Sequence, residues 1–167
     1  MKISSTGIVV LSVFGFMASV QAKTPEKNPQ HQAANLPNPF SPDGYWQTER
    51  SEGKLASKIH VYQCGEKTVC GKIVALEEPN DPTTGKPKVD PEGRPLMGME
   101  IMKNFKNSEG MEWTDGEIYD PKEGKTYSAQ FEIAEAGKVM KLTGYVLITL
   151  LGKTQTWHRI GKDELLK

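Results

Sequence analysis

Between residues 125 and 148 apolar and polar side chains alternate. Tyr127, Ala129, Phe131 and Ile133 fall on one face, and Ser128, Gln130 and Glu132 fall on the other. Met140, Leu142, Gly144, Val146 and Ile148 oppose Lys141 and Thr143 in the same way. A period of two, with one apolar and one wet face, marks antiparallel strands laid over a single core. Read this way along the chain, the pattern predicts eight strands, at 44–50, 55–64, 69–76, 97–105, 111–120, 125–133, 139–148 and 153–160. Turns such as Pro121-Lys122-Glu123-Gly124 and Glu135-Ala136-Gly137 separate them. Short connections favour neighbours that run up and down. The expected class is therefore all-β, a small antiparallel up-and-down barrel of about eight strands, whose closure removes exposed edges. A two-sheet sandwich is the alternative.

The strands do not begin until residue 44. Ahead of them Lys2 precedes the mostly apolar run 7–19 (GIVVLSVFGFMAS), and Val20-Gln21-Ala22 places small residues at the two positions a signal peptidase reads. This is the layout of a secretory signal peptide, 1–22. As a helix the apolar run spans about 20 Å, short of the roughly 30 Å hydrocarbon core of a bilayer. Cleavage is expected, leaving no membrane span and a destination in the periplasm or outside the cell. Residues 23–42 are rich in proline and carry no apolar period, the composition of a flexible tether. The barrel domain is expected over 43–162, with a C-terminal tail at 163–167. Lys162-Asp163-Glu164-Leu165 is not a retention signal, because it is not at the extreme C-terminus.

Charge and chemistry narrow the function. Lysine plus arginine number 21, as do aspartate plus glutamate, a balance that excludes a nucleic-acid binder built to neutralise many phosphates. Cys64 and Cys70 flank a polar turn between two apolar runs. In an exported chain they read as a structural disulfide worth roughly 2–3 kcal/mol. A redox pair would call for C-x-x-C spacing, and a metal site for four ligands at finger-like spacing. No metal and no cofactor is implied. His60 shares the wetter face of its strand with Lys58 and Tyr62, without a neighbouring nucleophile. Asp115 and Glu117 read as polar residues of a strand, and the acidic loop 77–95 lacks calcium-loop spacing. With no catalytic motif to anchor chemistry, the chain is not expected to be an enzyme.

Gly44-Tyr45-Trp46 opens the first strand and Trp157-His158-Arg159 closes the last. This resembles the lipocalin arrangement, in which a Gly-x-Trp at the closed end of the barrel lies under a late arginine. A cation on an indole face contributes about 0.5–2 kcal/mol. Antiparallel closure places the start of the first strand and the end of the last at one rim, so Trp46 and Arg159 are expected to touch.

A longer series of blocks covers nearly all of the chain after the tether. It includes Ile59-His60-Val61-Tyr62-Gln63-Cys64-Gly65, Arg94-Pro95-Leu96-Met97-Gly98, Trp113-Thr114-Asp115-Gly116-Glu117-Ile118-Tyr119-Asp120-Pro121 and Gly152-Lys153-Thr154-Gln155-Thr156-Trp157-His158-Arg159. In these blocks the chain resembles an exported bacterial domain of unknown function, family 2147. It departs from that family in a shortened loop at 88–93 and in Leu142-Thr143-Gly144, where a basic residue is usual. The resemblance implies a lipocalin-like barrel without an established activity.

Trp113, Tyr119, Tyr127 and Tyr145, with Arg94 on the long loop, are the candidate ligand contacts. The aromatics serve equally as cavity lining or as barrel filling. Two functions follow: a binding protein for a small, partly apolar molecule, or an envelope interaction module with a filled interior and no ligand.

Overall fold

A computed structural model describes residues 38, 40–50, 56–145 and 152–165, all within one compact unit, Pro37–Lys167. The expected signal peptide and most of the expected tether lie outside the described residues. The strands are β1 (Gly44–Gln47), β2 (Ser57–Gly65), β3 (Thr68–Leu76), β4 (Glu100–Glu109), β5 (Glu112–Asp120), β6 (Lys125–Ala134), β7 (Val139–Tyr145) and β8 (Lys153–Ile160). Each pairs antiparallel with the next, and β1 also pairs with β8. That last ladder closes the sheet into a barrel and excludes the sandwich. No helix among the described residues is long and apolar enough to cross a membrane.

Three boundaries differ from expectation by three residues or more. β4 runs on past 105 to Glu109, where it still pairs with Glu112 of β5. Residues 146–148 of the expected seventh strand lie outside the described residues. The other two boundaries differ for local reasons. β1 stops at Gln47 because its ladders end there, opposite Lys58 on β2 and His158 on β8. β4 starts at Glu100 instead of 97, because Leu96 to Met99 form a tight turn with Gly98 at φ 83°. A positive φ of that size suits glycine and breaks a strand.

The inward positions follow the alternation read from the sequence. Trp46, Ile59, Val61, Met102, Phe105, Phe131, Ile133, Met140 and Trp157 are buried in one cluster. Gly116 makes room for the largest of these contacts. A Cβ there would lie 2.3 Å from the Phe105 ring, so only a glycine lets the ring cross the barrel at that height. The ladder between β5 and β6 shifts register between Trp113 and Gly116, with Asp115 at φ 56°, the local kink expected at a bulge.

The barrel has two unlike ends. One carries the start of β1, the β2–β3, β4–β5 and β6–β7 connections and the end of β8. There the Arg159 guanidinium sits 4.2 Å from the Trp46 ring centroid. Its Nη1 donates to the Asp43 carbonyl at 2.7 Å, and its Nε and Nη2 donate to the carbonyls of Gly137 and Ser41. The Trp46 indole N–H donates to the Pro42 carbonyl at 2.8 Å. Ser41 and Pro42, assigned to the tether from sequence, are thus held against the barrel. Gly44 has φ 131°, and a Cβ on it would meet Arg159 Nη1 at 2.9 Å. The Gly-x-Trp spacing is therefore a steric requirement of the arginine. A Cys64–Cys70 disulfide, with Cα atoms 5.7 Å apart, cross-links the β2–β3 hairpin at this same end.

Candidate functional site

The opposite end holds a cavity of about 470 Å³. Its floor is Trp157, Leu142, Ile73 and Ile118; Leu76, Ile101, Tyr119, Tyr127 and Tyr145 form the walls. Space remains here because the fillers thin out toward this rim. Gly144, inward on β7 beside Leu142, has no side chain, and a Cβ added to it would reach Ile118 at 3.3 Å. On β8 the inward series runs Trp157, Gln155, Lys153 from floor to rim, all three lining the cavity. The Trp157 indole N–H donates to Gln155 Oε1 at 3.0 Å, which fixes the amide above the floor. Charges are confined to the rim, where Glu49, Glu77, Glu78, Asp120 and Glu123 face Lys88, Lys122 and Lys153.

The β3–β4 loop closes one side of the mouth, contributing Lys88 and Leu96 to the cavity. It is pinned by Asp90, only 4% exposed. Asp90 Oδ1 accepts from the Arg94 N–H at 2.8 Å; Oδ2 accepts from Arg94 Nε at 2.7 Å and from the Tyr119 hydroxyl at 2.8 Å. Burial works to raise the Asp90 pKa, but the Arg94 N–H and guanidinium, with the Tyr119 hydroxyl, outweigh it and hold the carboxyl at about 2. Burial, and then the bond to Asp90, raise the Tyr119 pKa. Tyr127 is also raised, chiefly by donating to Glu123 Oε2 at 2.5 Å. Farther along the loop, Asp81 is held below its ordinary range by the N–H and hydroxyl of Thr84. The acidic loop therefore spends two of its aspartates on its own geometry.

Of the five candidate contacts, Tyr119, Tyr127 and Tyr145 line the cavity. Arg94 does not: its guanidinium lies 5.1 Å from the Tyr119 ring centroid and latches the loop. Trp113 lies toward the closed end, stacked on Phe131 with centroids 5.7 Å apart, its indole nitrogen buried without a partner. Sequence reasoning missed Gln155, Lys153, Leu142 and Ile118. Their signal was the inward parity of β5, β7 and β8, which named the face but not the height. His60 packs on the outside between Tyr45 and Tyr62, with ring centroids 4.7 and 5.5 Å away. Asp115 and Glu117 are exposed.

A comparison with curated proteins finds no match. Among solved structures the barrel is similar to protein HP1028 of Helicobacter pylori, described as belonging to the lipocalin family. The TM-score is 0.61 at 19% identity, over 75% of this chain and 87% of that one, a likeness of fold. The fold is thus a lipocalin-like, closed eight-stranded barrel. A family pattern for uncharacterized proteins conserved in bacteria matches residues 44–159, from the glycine under Arg159 to Arg159 itself, and the chain belongs to that family, domain of unknown function 2147.

Proposed function

We propose that this protein is an exported binding protein that takes a small, largely apolar molecule into the open end of the barrel. One observation carries the reading. A cavity of about 470 Å³ with an Ile, Leu and Trp floor lies in the same interior that is packed solid at the other end. Its volume falls in the range of small-molecule sites, and apolar lining with a few placed polar groups is their usual chemistry. Ionisable groups stand at the rim and not on the floor, which favours holding a molecule over transforming one. The signal-peptide layout and the cross-linked hairpin support a periplasmic or secreted location. The filled-barrel alternative draws no support from this end of the molecule.

The test is fluorescence of the neutral apolar probe N-phenyl-1-naphthylamine with the mature, oxidised protein. Saturable enhancement that is lost in Gly144→Leu, with the folded spectrum retained, is the expected result. No saturable binding by the intact protein would overturn the reading.

A further inference from the structure

Gln155 stands one level above the cavity floor. It is the cross-strand partner of Leu142 and lies two residues inside Lys153 on β8, and all three line the cavity. Its oxygen accepts from the Trp157 indole N–H at 3.0 Å. An indole nitrogen only donates, so the oxygen must be the end of the amide that faces it, and the NH₂ group is the end left over. Among the described residues that NH₂ group has no acceptor. We propose that the cavity selects neutral molecules bearing a carbonyl oxygen, which supplies Gln155 with its missing acceptor while the apolar part of the molecule covers Trp157. This rests on the binding function proposed above and adds to it the chemical class of the ligand.

Position and rigidity set Gln155 apart from the other neutral donors of the cavity. Thr48, Ser57 and Tyr145 also line it, but they stand at the strand ends that border the mouth. A hydroxyl there turns to donate or to accept as its partner requires, whereas the amide is held in one orientation by the indole and offers the interior a donor. A molecule lying on the floor strips water from that donor. A hydrocarbon leaves it unpaired and a carbonyl restores the lost bond, so the group discriminates between the two. Neutrality follows from where the charges are. The cations of the lining, Lys88, Lys122 and Lys153, stand at the rim, where five carboxylates outnumber them. An anion therefore meets no surplus of positive charge on entry and no cation beside the floor.

The experiment displaces N-phenyl-1-naphthylamine from the mature, oxidised protein at about pH 8 with three competitors of nearly one shape. These are 2-acetylnaphthalene, its isostere 2-isopropenylnaphthalene, in which a CH₂ replaces the carbonyl oxygen, and the anion 2-naphthoate. The affinity ratio of ketone to isopropenyl compound should be at least about fivefold higher in the wild type than in Gln155→Leu, the scale of one neutral hydrogen bond. Gln155→Glu keeps an oxygen for the Trp157 N–H and loses the donor, so it should lower the ratio as much. It also serves where Gln155→Leu, which leaves the indole unpaired, does not fold. 2-Naphthoate should compete less strongly than the ketone. An unchanged ratio in either folded variant, or competition by 2-naphthoate equal to that of the ketone, would overturn the proposal while the probe binding that supports an apolar cavity stands. If the probe itself does not bind the intact protein, the cavity function falls first and the selection of a carbonyl with it.

Discussion

The two ends of this barrel are made from the same strands with the same alternation, yet one is solid and the other hollow. At the closed end Trp46 shares one buried cluster with Phe105 and Phe131, whose rings lie 5.1 Å apart, and Arg159 ties three carbonyls over the Trp46 ring. At the open end Gly144 and Gln155 occupy inward positions, and the long loop is fastened by one Asp90–Arg94–Tyr119 cluster. Closure of a sheet thus leaves open whether its inside is core or cavity. The size of the side chain at each height along the inner face decides that, since eight strands leave an interior just wide enough to fill or to hold one small ligand.

The sharpest way to break this comparison is at the closed end. Trp46→Ala should cost about 3–5 kcal/mol in a denaturant melt, because it removes a fully buried indole and the surface on which Arg159 rests. A cost near that of an exposed residue would show that the end is not the keystone of the fold. Arg159→Ala should cost about 2–3 kcal/mol, combining the stacked cation with its bonds to carbonyls. Arg159→Lys should recover only part of this, because an ammonium lacks the planar fork. Reduction of Cys64–Cys70 should cost roughly 2–3 kcal/mol by the same measurement, and protection of both thiols from alkylation before reduction checks the bond.

At the open end the expected effects are smaller. Ile118→Ala, beside a space already empty, should cost about 1–2 kcal/mol and enlarge the cavity without collapse. Asp90→Asn should leave the core melt nearly unchanged and speed proteolysis within the 77–98 loop. Its pH dependence has a definite sign. The folded carboxyl titrates at about 2, below the ordinary value of 3.8, so its contribution is complete above about pH 4 and is lost as pH falls through 2. The difference in loop protection between wild type and Asp90→Asn should therefore be constant from pH 5 to 7 and shrink toward pH 2. A difference that grows in acid would reverse this account.

How much of the site could be read in advance depended on what each residue's signal was. Trp46 and Arg159 sat at opposite ends of a chain that had to close on itself, so their contact followed from strand order. Tyr127 was on the apolar face of a clean alternation and does line the cavity. Trp113 carried the same kind of signal, yet it stands near the β4–β5 hairpin, one strand length from the mouth. Parity separates inside from outside but carries no information on height along the axis. Arg94 had no periodic signal, because its place is set by Asp90 and by Tyr119 of another strand.

The sequence alone determined the class of fold, the number of strands, the cross-linked hairpin and the pairing of an indole with a guanidinium at one rim. These depend on local period, on spacing and on the order in which antiparallel neighbours must meet. Only the tertiary structure decided that the interior is split into a filled half and an open half, that Arg94 is a latch, and that Gln155 and Lys153 face the cavity. Those facts depend on register between strands: register shifts in the ladders from β2 to β6, the one at Trp113–Gly116 among them, and the absent side chain at Gly144 change which groups share a level of the barrel. No window along the chain contains that information, because every level is assembled from residues of several different strands.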